Sequence, residues 1–247
     1  MRLIADLHTH TIASGHAYST IQENAVAASK KGLEIIGITD HGPQMPGASH
    51  PYYFSNLTAV PEVLAGVRIM KGVEANIIDR QGNLDLDKRI LGCLDLVAAG
   101  LHDPCSPEGT IAENTQAMIA AMATGWVDII VHPGNPYFRV DPEQVVAGAL
   151  FYEVVLELNN SSLAPGSYRQ GSYDNCLQIA SLAAAKGLTV VVGSDAHWAE
   201  QVGDFGEALA LAEEAGIKPE QALNTSSEKV LQYLAKRHKI RQSLLQA

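Results

Sequence analysis

The sequence lacks the features of membrane proteins, secreted proteins and disulfide-rich proteins. Its apolar runs fall short of the ~18–20 residues that a membrane span needs. The first residues, MRLIADLHTH, show no basic segment followed by an apolar one, so we expect no signal peptide. The chain has only 3 cysteines, an odd number without ligand-like spacing, which suits a reducing compartment better than a disulfide scaffold. We therefore expect a cytoplasmic protein without a membrane partner.

Basic residues are scarce as well. Lysine and arginine number 17 against 27 aspartates and glutamates, which gives a formal net charge of −10. Because non-specific nucleic-acid binding needs a basic surface, we expect no nucleic-acid partner. At 247 residues, with 47% of them hydrophobic, the chain is long enough to bury a large core. This length suits one α/β barrel, and we predict a single domain over 1–247.

Short apolar runs alternate with helical patterns along the chain. Near-continuous runs of valine, isoleucine and leucine are typical of strands that are buried on both faces. Thr20, Thr110 and Thr225 each precede a glutamate by three residues, which predicts a capping box at a helix start. No β-hairpin turn is evident, so we predict a parallel α/β fold, either a closed barrel or an open doubly wound sheet. The predicted strands are 3–7, 33–39, 67–74, 94–101, 127–131, 154–159 and 188–194.

Histidines and carboxylates follow the ends of most of these strands. Successive strand ends lie ~30 residues apart, the length of one βαβ unit, so the chain returns each time to the same rim of the sheet. Parallel sheets and barrels build their sites at this carboxyl rim. We therefore predict one cluster of metal ligands, consisting of His8, His10, His16, His41, Glu74, His102, His132, Asp195 and His197.

The chemistry of this ligand set indicates the metal. Imidazoles and carboxylates without thiolates suit Zn²⁺, Fe or Mn²⁺, and nine ligands exceed the needs of one tetrahedral ion, so they fit two or three ions. His50 lies off the pattern, where it could line the pocket or merely pack. His238, between Arg237 and Lys239, is interpreted as part of a solvated terminal face.

Four further residues are candidates for roles beside the metal ligands. Asp6 should share a strand face with His8, because side chains two residues apart point the same way. We expect Asp6 and Asp40 to accept hydrogen bonds from histidine rings and orient them. Arg139 and Asn160 are candidate substrate contacts, since an arginine can bind phosphate through two hydrogen bonds.

The strand-end motifs resemble those of the PHP superfamily (polymerase and histidinol phosphatase). DLHTH, ITDHG, GVEAN, GLH, HPGNP and GSDAH occur in order from residue 3 to about 197, and the ending NTSSEKVLQYL is also similar. The resemblance is closest to compact single-domain bacterial probable phosphatases of that family. It implies a distorted (β/α)7 TIM-like barrel with parallel strands and three metal ions, commonly zinc.

The resemblance also implies how the ions share their ligands. The first ion would be held by His8, His10, Glu74 and Asp195, the second by Glu74, His102 and His132, and the third by His16, His41 and His197. Two carboxylates contribute −2 and three divalent ions +6, which gives a site of about +4. Such a site should attract a small dianion, and a metal-bound hydroxide would attack a phosphate monoester without any protein nucleophile.

The sequence thus predicts a metal-dependent phosphatase acting on a small phosphorylated substrate, and two other functions stay open. An amidohydrolase-type enzyme that cleaves C–N or C–O bonds also begins with His-x-His, although His16, His41 and His197 exceed its usual ligand set. A metal-dependent binding or regulatory module without turnover is disfavoured by the complete ligand set. The sequence is compatible with a homo-oligomer, and it does not identify the ester.

Overall fold

The predicted strands form one sheet in a computed structural model that describes residues 1–246. The strands are β1 (Ala5–Thr9), β2 (Ile35–Ile38), β3 (Val63–Leu64), β4 (Val67–Asn76), β5 (Leu96–Gly100), β6 (Ile129–Ile130), β7 (Val155–Asn159) and β8 (Val190–Gly193). Parallel pairing joins seven of them in the order β1-β2-β4-β5-β6-β7-β8. The end of β8 returns to β1, where Asp195 N donates to His8 O at 2.9 Å. The predicted (β/α)7 barrel is therefore confirmed.

Helices occupy most of the segments between the strands. The capping boxes predicted at Thr20 and Thr110 both form. The prediction of a capping box at Thr225 is wrong, because the Thr225 hydroxyl donates to Ala222 O at 2.9 Å and the last helix begins at Ser227. The helices are α1 (Ile21–Lys30), α2 (Pro51–Asn56), α3 (Lys88–Cys93), α4 (Ile111–Ala123), α5 (Pro142–Tyr152), α6 (Asn160–Leu163), α7 (Ser172–Lys186), α8 (Gly206–Glu214) and α9 (Ser227–Gln246).

Within residues 1–246, no helix combines the length and the apolar character that crossing a bilayer requires.

One short antiparallel pair departs from the predicted parallel pattern. Strand β3 pairs with the start of β4 through a turn at Ala65 and Gly66, whose φ angles are 50° and 81°. When both central residues of a hairpin turn have positive φ, the twist of the turn matches the right-handed twist of the two strands that it joins. The sequence gives little sign of it, because an alanine occupies the position where asparagine or aspartate is typical.

The barrel has an apolar amino end and a polar carboxyl end. Leu7, Ile35 and Val191 belong to an inner core that continues into Val230 and Leu234 of α9. The chain just before α9 joins the starts of the strands, as Ile4 N donates to Asn224 O at 3.0 Å. Helix α9 therefore closes the amino end of the barrel, while the histidines lie at the opposite end.

Candidate functional site

Glu74, at the carboxyl end of β4, lies at the centre of a buried cluster of histidines. It is fully buried. Its Oε1 lies 2.7 Å from His132 Nε2, 2.9 Å from His102 Nε2 and 3.4 Å from His8 Nε2. These three histidines come from different strands, so the sheet topology converges them on one carboxylate oxygen.

The second oxygen of Glu74 faces another pair of histidines. Glu74 Oε2 lies 2.8 Å from His41 Nδ1 and 3.3 Å from His10 Nε2. Among the described residues, neither Glu74 Oε2 nor His41 Nδ1 has a hydrogen-bond partner of acceptable geometry. Asp195 Oδ1 lies 3.2 Å from His10 Nε2 on the far side. Nitrogen and oxygen atoms that converge without hydrogen bonding are typical of a set of metal ligands.

His16 and His197 form the outer part of the cluster. His16 is exposed, and its ring centroid lies 4.9 Å from that of His41 and 5.0 Å from that of His197. The His197 ring stacks 4.2 Å from that of His10. The structure thus brings all nine predicted residues to the carboxyl rim of the barrel.

In the metal-free cluster, the protonation states of His10, His132 and Glu74 suit a divalent cation. Burial, with His197 and His41 nearby, holds the pKa of His10 well below its ordinary value, and burial with Arg169 lowers that of His132 to about 3. Burial alone would raise the pKa of Glu74, but the neighbouring histidines hold it well below its usual range. Neutral imidazoles beside ionised carboxylates are the forms that bind metal.

Groups of ligand atoms close enough to share one ion also exist within the described part of the chain. One group combines His8, His10 and Glu74, with all ligand atoms within 4.8 Å of one another. Two further groups of the same kind overlap with it and add three residues from other strands. The residues present therefore fit divalent metal ions. The additional members are His41, His102 and His197.

Glu157, in the middle of β7, orients the cluster from below, and the sequence analysis missed it. Its Oε1 lies 2.7 Å from His8 Nδ1, and its Oε2 accepts a hydrogen bond from His132 N at 2.8 Å. Although burial favours a neutral His8, the carboxylates of Glu157, Asp195 and Glu74 raise its pKa well above the ordinary value. A charged residue inside an apolar strand that is buried on both faces is a signal that would have identified Glu157.

Within the described residues 1–246, the Asp6 carboxylate hydrogen-bonds to no histidine ring, contrary to expectation. Its carboxylate accepts hydrogen bonds from Ser194 Oγ at 2.5 Å and from Gly203 N at 2.8 Å. The pairing of β1 with β2 shifts register between Asp6 and Thr9, so Asp6 and His8 do not share a face as strict alternation predicts. Asp6 therefore joins β1 to the segments that follow β8.

Asp40 acts on the cluster through an intermediate residue. It accepts hydrogen bonds from Thr11 N and Ser14 Oγ, both at 2.7 Å, and from the Tyr53 hydroxyl at 2.5 Å. Ser14 Oγ in turn lies 2.9 Å from His10 Nδ1. Because the Ser14 hydroxyl donates to Asp40, it can accept from His10 Nδ1–H, which leaves His10 Nε2 free as a ligand atom. Asp40 thus orients a ring indirectly, and that ring belongs to His10.

Neither predicted substrate contact lies at the cavity above the cluster. Arg139 is exposed and lines a separate small depression. Asn160 is buried, and its Oδ1 accepts a hydrogen bond from Ala208 N at 3.0 Å, which ties α8 to the end of β7. Both residues follow strand ends, but their side chains point away from the site.

Arg169 is the cationic side chain that lines the cavity, and the sequence analysis missed it too. The cavity has a volume of about 510 Å³ and lies between the outer histidines and the loop after α6. Arg169 Nη1 donates to Asp195 Oδ2 at 2.8 Å and to Ser162 Oγ at 3.3 Å, while its buried Nε has no partner among residues 1–246. Burial opposes its charge, but Asp195 raises the pKa of Arg169. Its place in the Pro/Gly/Ser-rich loop after β7 was the available signal.

Known proteins resemble this chain over nearly its whole length. A family model described as PHP domain matches residues 6–245. A probable phosphatase of Thermoanaerobacter sp. (strain X514) is 52% identical over 235 residues, 95% of each chain. One of Caldanaerobacter subterraneus subsp. tengcongensis is 52% identical over 240 residues, which cover 97% of this chain and 94% of the relative.

A solved structure shares the fold at low sequence identity. The crystal structure of histidinol phosphate phosphatase from Lactococcus lactis, complexed with zinc, L-histidinol and phosphate, has a TM-score of 0.58 and 17% identity. The similarity covers 87% of this chain and 94% of that one. Together with the family model and the relatives, this fold agrees with the motifs at the strand ends. The chain therefore belongs to the PHP family.

Proposed function

We propose that this protein hydrolyses small phosphate monoesters with the help of divalent metal ions held around Glu74. PHP-family membership and relatives named probable phosphatases identify the chain as a phosphatase. One observation supports the role of metal ions most strongly: imidazole nitrogens converge on the buried carboxylates of Glu74 and Asp195. This cluster lies beneath an open cavity. Ligands that face an accessible cavity leave positions for water and substrate.

We infer that about three ions bind, with zinc the first choice and manganese or iron as alternatives. Glu74 supports the sharing of ligands, since one oxygen faces His102 and His132 while the other faces His10 and His41. The L. lactis protein of the same fold carries zinc. Ions bound here would supply positive charge and an activated water as the nucleophile.

Arg169 takes the phosphate-binding role that the sequence analysis gave to Arg139. Its guanidinium is nearly buried at the cavity wall, and its Nε is a donor without a partner among residues 1–246. Hydrogen bonds from a guanidinium to phosphate oxygens are charge-assisted and fix the orientation of the anion. Without metal, the carboxylates of Glu74 and Asp195 would outweigh the charge of Arg169, so we expect phosphate to bind only to the metal-loaded protein.

The test is the release of inorganic phosphate from a panel of monoesters by protein loaded with zinc or manganese, with an amide and a lactone assayed in parallel. We expect phosphate release, competitive inhibition by inorganic phosphate, and no cleavage of the amide or the lactone. His197→Ala should lower kcat at least ~10-fold. The control is His50→Asn, because His50 is exposed, does not line the cavity, and caps α2, a role that asparagine can fill. Cleavage of the amide or the lactone, or no cleavage at all, would refute the proposal.

A further inference from the structure

Two exposed tyrosines stack on each other at the cavity above the histidine cluster. The ring centroids of Tyr137 and Tyr168 lie 5.4 Å apart and their planes differ by 13°. Their relative exposures are 62% and 64%, which is high for side chains with so much apolar surface. Tyr168 lines the cavity beside Arg169, and the nearly parallel Tyr137 ring lies next to it without lining the cavity itself. The pair therefore presents a flat aromatic surface at the entrance to the site.

The backbone on both sides holds this surface in place. Tyr137 belongs to the short turn after β6, where its N–H donates to Asn135 Oδ1 at 3.1 Å. Tyr168 directly precedes Arg169, whose guanidinium is bound to Asp195 at 2.8 Å. Because Tyr137 packs on one face of Tyr168, the ring has less freedom to rotate than a lone exposed tyrosine, and a ligand would lose less entropy on stacking there.

We propose that Tyr168, supported by Tyr137, is a stacking site for a planar ring in the alcohol part of the substrate. The inference rests on the proposed phosphatase function, because the phosphate group at Arg169 and the metal cluster is what would bring the rest of the ester to the neighbouring Tyr168. Asp103 lines the same cavity, and its carboxylate disfavours a second anionic group there. The substrate class is thus a phosphate monoester whose alcohol part carries a planar ring and no second phosphate, and esters without a ring should be poorer substrates.

The first experiment measures binding with ligands that cannot be hydrolysed. Phenylphosphonate and cyclohexylphosphonate carry the same anionic group and similar bulk, but only phenylphosphonate is planar. By isothermal titration calorimetry on the zinc-loaded protein, we expect phenylphosphonate to bind about tenfold more tightly. Tyr168→Leu should abolish this preference, while Tyr168→Phe should keep it. Tyr52→Leu is the control, because Tyr52 is an exposed tyrosine that contacts the His50 ring edge-on and does not line the cavity.

The second experiment compares two substrates with the same reacting group, a phosphate on the 5′-oxygen of ribose. Adenosine 5′-monophosphate carries an adenine ring that ribose 5-phosphate lacks, and we expect kcat/KM to be about tenfold higher for the nucleotide. Tyr168→Leu should remove this difference and change kcat/KM for ribose 5-phosphate less than twofold. A preference for phenylphosphonate without one for the nucleotide would support a site for a single small ring and would exclude purines.

Two results overturn the inference, and they are separable from failure of the proposed function. Equal dissociation constants for the two phosphonates would refute stacking and leave the phosphatase function intact. The same holds if Tyr168→Leu weakens the binding of both phosphonates by the same factor. If neither phosphonate binds and no ester releases phosphate, the proposed function and the stacking site both fall.

Discussion

At the scale of single residues, Glu74 determines whether the metal ions act as one centre. Its two oxygens face histidines at the carboxyl ends of four different strands, and the carboxylate is fully buried. The imidazoles hold its pKa well below the usual range, so the carboxylate is ionised before any ion arrives. A permanently ionised carboxylate with both oxygens in use fits a ligand that two ions share.

Glu74→Gln tests this sharing, because it keeps the shape of the side chain and removes the charge. We expect elemental analysis to show that about two ions per chain are lost, which leaves one of the three proposed ions. The rate of phosphate release should fall more than ~100-fold. Circular dichroism should show an unchanged fold, since the core of the barrel is apolar. Loss of only one ion would contradict a bridging role.

Glu157→Gln tests the orientation of His8. The neutral amide weakens the contact with His8 Nδ1, so we expect zinc affinity, measured by competition with a chelator, to fall about 10–100-fold. Glu153→Gln is the matched control, because Glu153 is exposed and only pairs with Lys236 at the surface. Equal affinities of the two variants would show that Glu157 does not orient a ligand.

The clustering of the nine candidate ligands was predictable from sequence, because in a parallel sheet every strand delivers its last residues to the same rim. The contact of Asp6 was not, because a local shift in strand register decides which face its side chain occupies. The strained backbone of two ligand candidates could not be predicted from sequence either: His132 and Asp195 adopt φ angles of 34° and 55°. Such left-handed conformations in residues other than glycine depend on the surrounding structure, and they concentrate at functional sites.

At the scale of elements, two arginines in the basic stretch of α9 belong to the buried interior. The interpretation of the segment around His238 as a solvated face is wrong for Arg237, which is 2% exposed and donates to Val127 O at 2.6 Å. Arg241 is fully buried and pairs with Asp128 at the start of β6. Sequence alone does not show this pairing, because the aspartate lies far away along the chain and only the closed barrel brings it beneath the helix.

Arg241→Met should destabilise the protein through α9. The variant leaves the buried Asp128 with a hydrogen bond from Val97 N at 2.9 Å and with one cation, Arg237, whose Nε lies 3.3 Å away, so we expect the free energy of unfolding in urea to fall by about 3–5 kcal/mol. Lys239→Met, on the exposed side of the same helix, should change it by less than about 0.5 kcal/mol. Similar values for the two variants would mean that the ion pair does not hold α9 to the barrel.

At the scale of the whole molecule, stability and chemistry occupy opposite ends of the barrel. The amino end is apolar and closed by α9, whereas the carboxyl end concentrates buried imidazoles and carboxylates. Without metal, the carboxyl end should be the part of the molecule that responds to pH. The barrel fold followed from the alternation of strands and helices, but this division of the interior depends on which residues the closed sheet turns inward.

The metal-free protein should lose stability as the pH falls below about 6.5. The pKa values of His10, His16 and His132 are lowered in the folded chain, mainly by burial. The unfolded chain therefore takes up these protons first, and the free energy of unfolding decreases as the pH falls from ~6.5 toward the folded values. His8 offsets part of this, because its raised pKa gives a stabilisation that is fully present below ~6.5 and lost as the pH rises through its folded pKa.

The measurement for this prediction is Tm in the presence of a chelator between pH 7.5 and pH 5.5. We expect Tm to fall by several degrees on acidification, and His132→Gln should show a smaller fall because it lacks one of the buried imidazoles. A Tm that rises over this range would show that the cluster is not held neutral by burial.

The most direct test of metal-dependent phosphatase activity is a titration in which metal content and phosphate release are measured on the same samples. Protein stripped with a chelator is reloaded stepwise with zinc, and an aryl phosphate is the substrate. We expect no release from stripped protein and a rise in rate that levels off at about three ions per chain. Full activity of the stripped protein, with its metal content verified as negligible, would contradict the proposed role of the cluster around Glu74.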